Sequence, residues 1–125
     1  MMADRFNVLT DILHVSMQAT VLRNDVINNN IANVDTPRFK RSEVAFEEAL
    51  RRAIQRSRAT GTLDLSNVRP EVRFVNAHLS SRIDGNNVDI EAEMAALVTN
   101  SVRFDTMVQG VMSNYRQLNL VLNMR

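Results

Sequence analysis

The sequence contains no cysteine and no tryptophan, has only 3 glycines and 2 prolines, and is 5% aromatic over 125 residues. Without cysteine there can be no disulfide scaffold, thiolate zinc site, iron–sulfur cluster or thiol nucleophile. So few glycines and prolines cannot supply the turns of a β-sandwich or barrel, which recur about every 8–12 residues. Scarce aromatics argue against a bulky compact core. No apolar run approaches the roughly 18 residues of a membrane span. The opening Met1-Met2-Ala3-Asp4-Arg5-Phe6 has no basic region leading into an apolar one, so no secretory signal peptide is expected. The formal net charge of +1 gives no global pull toward nucleic acid. What is present is 45% hydrophobic and 23% charged residues, ordinary for a chain that folds. These exclusions leave a mainly α-helical chain.

The C-terminal third holds the clearest pattern. Ile90, Met94, Leu97, Ser101, Phe104, Val108, Val111, Tyr115, Leu118 and Leu122 follow one another at alternating spacings of four and three. That is a coiled-coil seam sustained over several heptads. Asp89 is placed to cap it, and Glu91 and Glu93 suit the positive end of the helix dipole. A helix over 90–125 would be ~54 Å long, against ~30 Å for the width of a small domain. It must therefore extend, sharing its seam with the chain's own N-terminal helix and with other molecules. The N-terminal third supplies such a partner: Phe6, Leu9, Leu13, Ser16 or Met17, Thr20, Asn24, Ile27 and Ile31 repeat the same spacing. The stripe is polar at its centre, either to fix register or to let helices approach closely. Gly110 lies within the C-terminal helix, where it costs about 1 kcal/mol relative to Ala; close packing or simple tolerance explains it.

The first helix should stop before Pro37, which disfavours the helical region for Thr36. A second, short helix is expected over about 43–58, capped by Ser42, with Phe46, Leu50 and Ile54 on its apolar edge and Gly61 ending it. Residues 62–85 are the least regular. Glu71–Val75 reads as a short extended segment and Asp84-Gly85-Asn86 as a turn. The organisation expected is an axial helical domain from residues 1–36 and 86–125, with 37–85 as a middle segment.

No convergent polar cluster marks an enzyme. His14 and His78 belong to no metal-binding spacing, and the three glycines form no phosphate loop. Glu91 and Glu93 are two apart and do not face each other on a helix. No catalytic residue, metal or cofactor is expected. Residues 36–60 form the only basic stretch, with Arg38, Lys40, Arg41, Arg51, Arg52, Arg56 and Arg58 against Glu43, Glu47 and Glu48. A solvated helix face is the commoner explanation of such a stretch than a phosphate site.

Residues 28–41 read Asn-Asn-Asn-Ile-Ala-Asn-Val-Asp-Thr-Pro-Arg-Phe-Lys-Arg, and Phe46 and Leu50 follow in an F-E-x-x-L pattern. Later comes Asp84-Gly85-Asn86-Asn87-Val88-Asp89-Ile90-Glu91-Ala92-Glu93. Together these resemble the bacterial flagellar basal-body rod family, and within it the B-type proximal class, over nearly the whole chain. Rod subunits of C or F type, or a coiled-coil adaptor or nucleic-acid-binding helical protein, stay open as alternatives. The residues carrying the resemblance are Asn29, Asn30, Ile31, Ala32, Asn33, Thr36, Pro37, Phe39, Lys40, Phe46, Leu50, Asp84, Gly85, Asn86, Val88 and Glu93. Arg38 stands where the family pattern usually has Gly, and Phe39 where it usually has Tyr. A Gly permits positive φ, so the turn at Arg38 is open.

The resemblance implies paired terminal helices stacked helically around a central export channel, transmitting torque, with the middle segment packed outward or against neighbours. It implies copies of the chain and other rod proteins as partners, together with the rod–membrane-ring junction and export-gate components. It implies no nucleic acid and no direct membrane span. It also implies a basal-body (periplasmic rod) location, reached through the flagellar type III apparatus. Candidate interface residues on the two stripes are Phe6, Leu9, Leu13, Ile27, Ile31, Ile90, Met94, Leu97, Phe104, Val108, Val111, Tyr115, Leu118 and Leu122.

Overall fold

The computed structural model describes residues 2–75 and 82–124; His78 and Arg125 lie outside them. Five elements follow in order: α1 (Met2–Ala32), β1 (Ser42–Ala45), α2 (Glu47–Thr60), β2 (Glu71–Phe74) and α3 (Ile90–Asn123). The chain is mainly helical, and the two long helices pack against each other. At 1.5 Å per residue α1 is ~46 Å long and α3 ~51 Å.

The helix ends follow their local chemistry. α1 stops at Ala32, and Asn33 closes it by donating its N–H to Asn29 and Asn30 carbonyls, both at 3.2 Å. At the start of α3, Asp89 sits in extended conformation and its carboxylate accepts the Glu91 and Ala92 N–H groups at 3.0 and 3.2 Å. This is the N-cap expected from its sequence position. Gly61 ends α2 with φ of 79° and donates to the Ser57 carbonyl at 2.8 Å, a left-handed cap that glycine adopts freely.

The middle of the chain corrects one expectation. The helix expected over 43–58 from Ser42 begins only at Glu47, and residues 42–45 form a strand instead. Val44 and Phe46 are both buried, an alternation of period two that belongs to a strand. Phe46, Leu50 and Ile54 do share a helical spacing, but burial of Val44 decides the start. Phe46 occupies the cap position without a side-chain cap bond. Glu47 and Glu48 in the first turn answer the unsatisfied N–H groups electrostatically.

β1 pairs antiparallel with β2, Ser42 opposite Phe74 and Ala45 opposite Glu71, so the extended segment expected near 71–75 is a strand. The other edge of β1 is met by α1. The Asn30 carboxamide accepts the Ser42 N–H at 2.9 Å and donates to the Ser42 carbonyl at 2.8 Å. Arg23 donates to the Val44 carbonyl at 3.2 Å. Two side chains thus satisfy backbone groups that a third strand would otherwise take.

The hydrophobic core lies where α1 meets these middle elements. Ala19 and Val26 of α1 pack with Val44, Phe46, Ala53 and Val68, and Val15, Leu22, Ala49, Leu50, Leu63 and Leu65 surround them. The middle segment therefore packs on α1 of its own chain, and α1 is partly enclosed by it. α3 contributes no buried apolar side chain; its buried residues are Glu93 and Asn100.

Candidate subunit interface

At the end where α1 stops and α3 starts, polar side chains converge in a buried junction. Asn30 and Asn86 are 0% exposed and Glu93 is 2% exposed. Glu93 accepts from Asn30 Nδ2 at 3.1 Å through one carboxylate oxygen and from Arg41 Nε at 2.6 Å through the other. Asn86 donates through Nδ2 toward the carbonyls of Asn33, Val34 and Thr36 at 2.9, 3.0 and 2.8 Å. Its Oδ1 accepts the Val88 N–H at 2.8 Å. Asn87 accepts the Arg41 N–H at 2.7 Å, and Lys40 reaches the Gly85 carbonyl. A buried polar group without a partner costs about 1–3 kcal/mol. This degree of satisfaction therefore defines one arrangement of the two helix ends.

The glutamates of α3 separate in role. Glu91 keeps an exposed place in the first turn, as the dipole argument expects. Glu93 does not serve chiefly there: it is buried and paired with Arg41. Helical spacing puts Glu93 on the α1-facing side, and an Asn and an Arg supplied from elsewhere make its burial tolerable.

Arg38 resolves the open turn. It keeps a φ of 61° although it is not glycine, and its N–H bonds the Asp84 carbonyl at 2.9 Å. Gly85, with φ of 77°, lies against it: a Cβ on Gly85 would sit 3.7 Å from the Arg38 Cα. Two left-handed residues therefore meet where the chain leaves α1 and enters α3.

Of the residues carrying the family resemblance, the structure brings Asn30, Asn33, Thr36, Lys40, Asp84, Gly85, Asn86 and Glu93 to this junction. Val88 is buried beside it. Ile31 and Phe39 are half-buried, whereas Asn29, Ala32 and Pro37 are exposed. Phe46 and Leu50 belong to the hydrophobic core instead. The roles of Arg41, Asn87 and Arg23 were not read from sequence; each works through a bond to a residue distant in the chain, which no local pattern signals.

Along the helix pair the seam has the expected period but another phase. Glu93, Leu97, Asn100, Phe104, Met107, Val111 and Asn114 are the buried or half-buried positions at spacings of four and three. They share Leu97, Phe104 and Val111 with the expected stripe and otherwise fall one residue earlier, while Val108 of the expected stripe is half-buried as well. The apolar surface of α3 is wider than one face, so hydrophobicity alone could not set the phase. Asn100 Nδ2 donates to the Thr20 carbonyl at 2.9 Å across the seam. Phe6 and Tyr115 meet edge to face with ring centroids 6.0 Å apart. Beside Gly110, a Cβ would lie 3.6 Å from Leu13 Cδ1, an ordinary contact, so tolerance rather than close backbone approach accounts for this glycine.

Among the interface candidates, Ile27 is buried, and Phe6, Leu13, Ile31, Leu97, Phe104, Val108 and Val111 are half-buried. Leu9, Ile90, Met94, Tyr115, Leu118 and Leu122 are exposed, as are Val98 and Val102 of α3. The basic stretch is partly neutralised: Arg41 pairs with Glu93, and Arg51 and Arg52 with Glu48. Among the described residues no helix is long and apolar enough to cross a membrane, and no group of three or more potential ligands gathers for a metal.

Residues 16–40 match the family model described as flagella basal body rod protein. The chain is 34% identical to the flagellar basal body rod protein FlgB of Borrelia hermsii, covering 94% of this chain and 97% of that one. It is 32% identical to the protein of the same name from Borreliella burgdorferi, over 94% and 97% of the two chains. For that of Bacillus subtilis the identity is 32%, over 81% and 82%. These similarities run from the first helix through the last, across both segments that build the junction, and the chain belongs to the flagellar basal body rod protein family.

Proposed function

We propose that the chain is a structural subunit of the proximal flagellar rod, polymerising helically around the export channel and carrying torque along it. The observation that carries this reading is the unburied apolar length of α3 in a member of the rod family. Met94, Val98 and Val102 are exposed at four-residue spacing along α3, and Leu118, Leu120, Val121 and Leu122 continue the exposed surface to the helix end. Contiguous apolar surface of this kind marks an interaction site. Residues 1–36 and 86–125 would form the axial domain, and 37–85 the middle segment that buttresses α1. Its partners are then copies of itself, other rod proteins, the rod–membrane-ring junction and the export gate. Its route is then the flagellar type III apparatus. The zero cysteine count suits that route, since no disulfide can lock the chain before it is threaded.

Val98→Asp tests the reading. Val98 is 65% exposed, so the isolated variant should keep its stability within about 0.5 kcal/mol. In cells carrying it as the sole copy, the chain should be missing from purified basal bodies and swimming should stop. Normal incorporation and normal swimming would overturn the proposal.

A further inference from the structure

Four charges on α3, Glu91, Arg103, Asp105 and Arg116, have no ion-pair partner among the described residues, and Arg103 and Asp105 of these lie on opposite flanks of the helix pair. Arg103 is exposed on the flank that carries Arg23 and Glu47. Arg23 is paired there with Glu47 at 2.6 Å, which leaves Arg103 as the unmatched cation. Asp105 is exposed on the other flank, at the mouth of an open groove between α1 and α3 floored by Asn24, Asn100 and Phe104. Two residues apart on a helix face nearly opposite ways, so Arg103 cannot reach Asp105 of its own chain. One wall of the groove also contains a buried, unmet acceptor. Asn100 is 3% exposed, its Nδ2 is committed to Thr20, and its Oδ1 is buried with no hydrogen-bond donor. Asp105 and Asn24 line the same groove, and no cation lines it. Its chemistry is that of a receptor for a multivalent donor, which a guanidinium is.

We propose that this groove receives Arg103 of a second copy of the chain, laid beside the first so that the basic flank of one meets the acidic flank of the next. The two residues stand at nearly the same height along α3, about 3 Å apart in rise, so the contact needs little axial shift. Donor and acceptor occupy different flanks, so the contact is heterologous and leaves each added copy with a fresh groove. Such a contact closes a ring or propagates a helix. This inference rests on the reading of the chain as a rod subunit and adds the residues through which copies join.

Charge reversal tests it in basal bodies from cells with one variant as the sole copy. Like charges placed together across an interface repel, so Arg103→Asp alone and Asp105→Arg alone should each reduce incorporation by roughly ten-fold or more. The double reversal, R103D with D105R, should restore it. Single variants that incorporate normally, or a double variant that stays excluded, would overturn the contact and leave the rod reading standing. An unaltered chain absent from basal bodies would overturn both. Cross-linking tests the geometry, using a short bis-maleimide because an arginine–carboxylate pair spans more than the ~5.5 Å between the Cα atoms of a disulfide. The chain has no cysteine of its own, so R103C with D105C should give a ladder of multimers, while either substitution alone gives none. A dimer from one single-cysteine variant, or no ladder from an incorporated double variant, would overturn the heterologous arrangement.

Discussion

The two halves of α1 resemble each other in composition and differ in surroundings. In the second half Ala19 and Val26 are buried beneath β1, α2 and the following loop, and Ile27 is buried as well. Before Val15, Val8 and Leu9 remain exposed, and the first half meets α3 through Leu13 beside Gly110 and Phe6 against Tyr115. α3 shows the same division. Its start is held by Glu93 and Asn100, and its end exposes Leu118, Leu120, Val121 and Leu122. A helix pair without a third layer buries only one stripe of each helix. The chain closes a core at one end and presents half of one at the other.

The largest effect should come from the closed end. Phe46→Ala removes a ring that is 5% exposed in the core and should cost about 3–5 kcal/mol in urea-induced unfolding. Phe6→Ala, made at the open end and read the same way, should cost far less. Equal costs would break the comparison.

Next come the two glutamates of α3. Glu93→Ala strips the buried partner from Asn30 and Arg41, and we expect a loss of about 3 kcal/mol, at the low end for such pairs because Arg41 is partly exposed. Glu91→Ala, one turn position away, should cost under about 1 kcal/mol as a dipole effect. A Glu93 variant as mild as the Glu91 variant would mean that the junction does not hold the helices.

Amide exchange on the isolated chain should then separate the halves directly. Residues 19–30 and 93–104 should be protected at least about ten-fold more than residues 5–15 and 110–121, a difference of about 1.4 kcal/mol. Uniform protection over both helices would show that the open end needs no neighbour. The smallest effect is a gain. Gly110→Ala meets only Leu13 at ordinary distance and should raise stability by up to about 1 kcal/mol, visible as a shift in the urea midpoint.

Local signals in the sequence located the parts that depend on local chemistry. Asp89 announces the start of α3, Gly61 the end of α2, and Asp84-Gly85-Asn86 the turn, because caps and turns are made by the residues at the site. The four-three repeat announced two long helices. It did not give their rotation, since α3 is apolar on more than one side and only three-dimensional pairing chooses which side meets α1. Strand β1 was hidden for a related reason: Phe46, Leu50 and Ile54 fit a helix, and the contrary cue, Val44, acquires meaning only when α1 covers it. The asparagine-rich stretch stood out by resemblance, yet what Asn30 and Asn86 do was illegible. Each bonds backbone groups more than ten residues away in the chain.

The Asn86 carboxamide sets the order in which the molecule can be completed. Its three carbonyl partners belong to residues 33–36, some 50 positions earlier, and Glu93 reaches back 63 positions to Asn30. Loop closure over such spans must precede the contacts that reward it. Whenever the chain is delivered amino-terminus first, as in synthesis, α1 and the middle elements exist before the residues that tie them to α3. The last third of the chain is thus both the surface offered outward and the clock that decides when the fold locks.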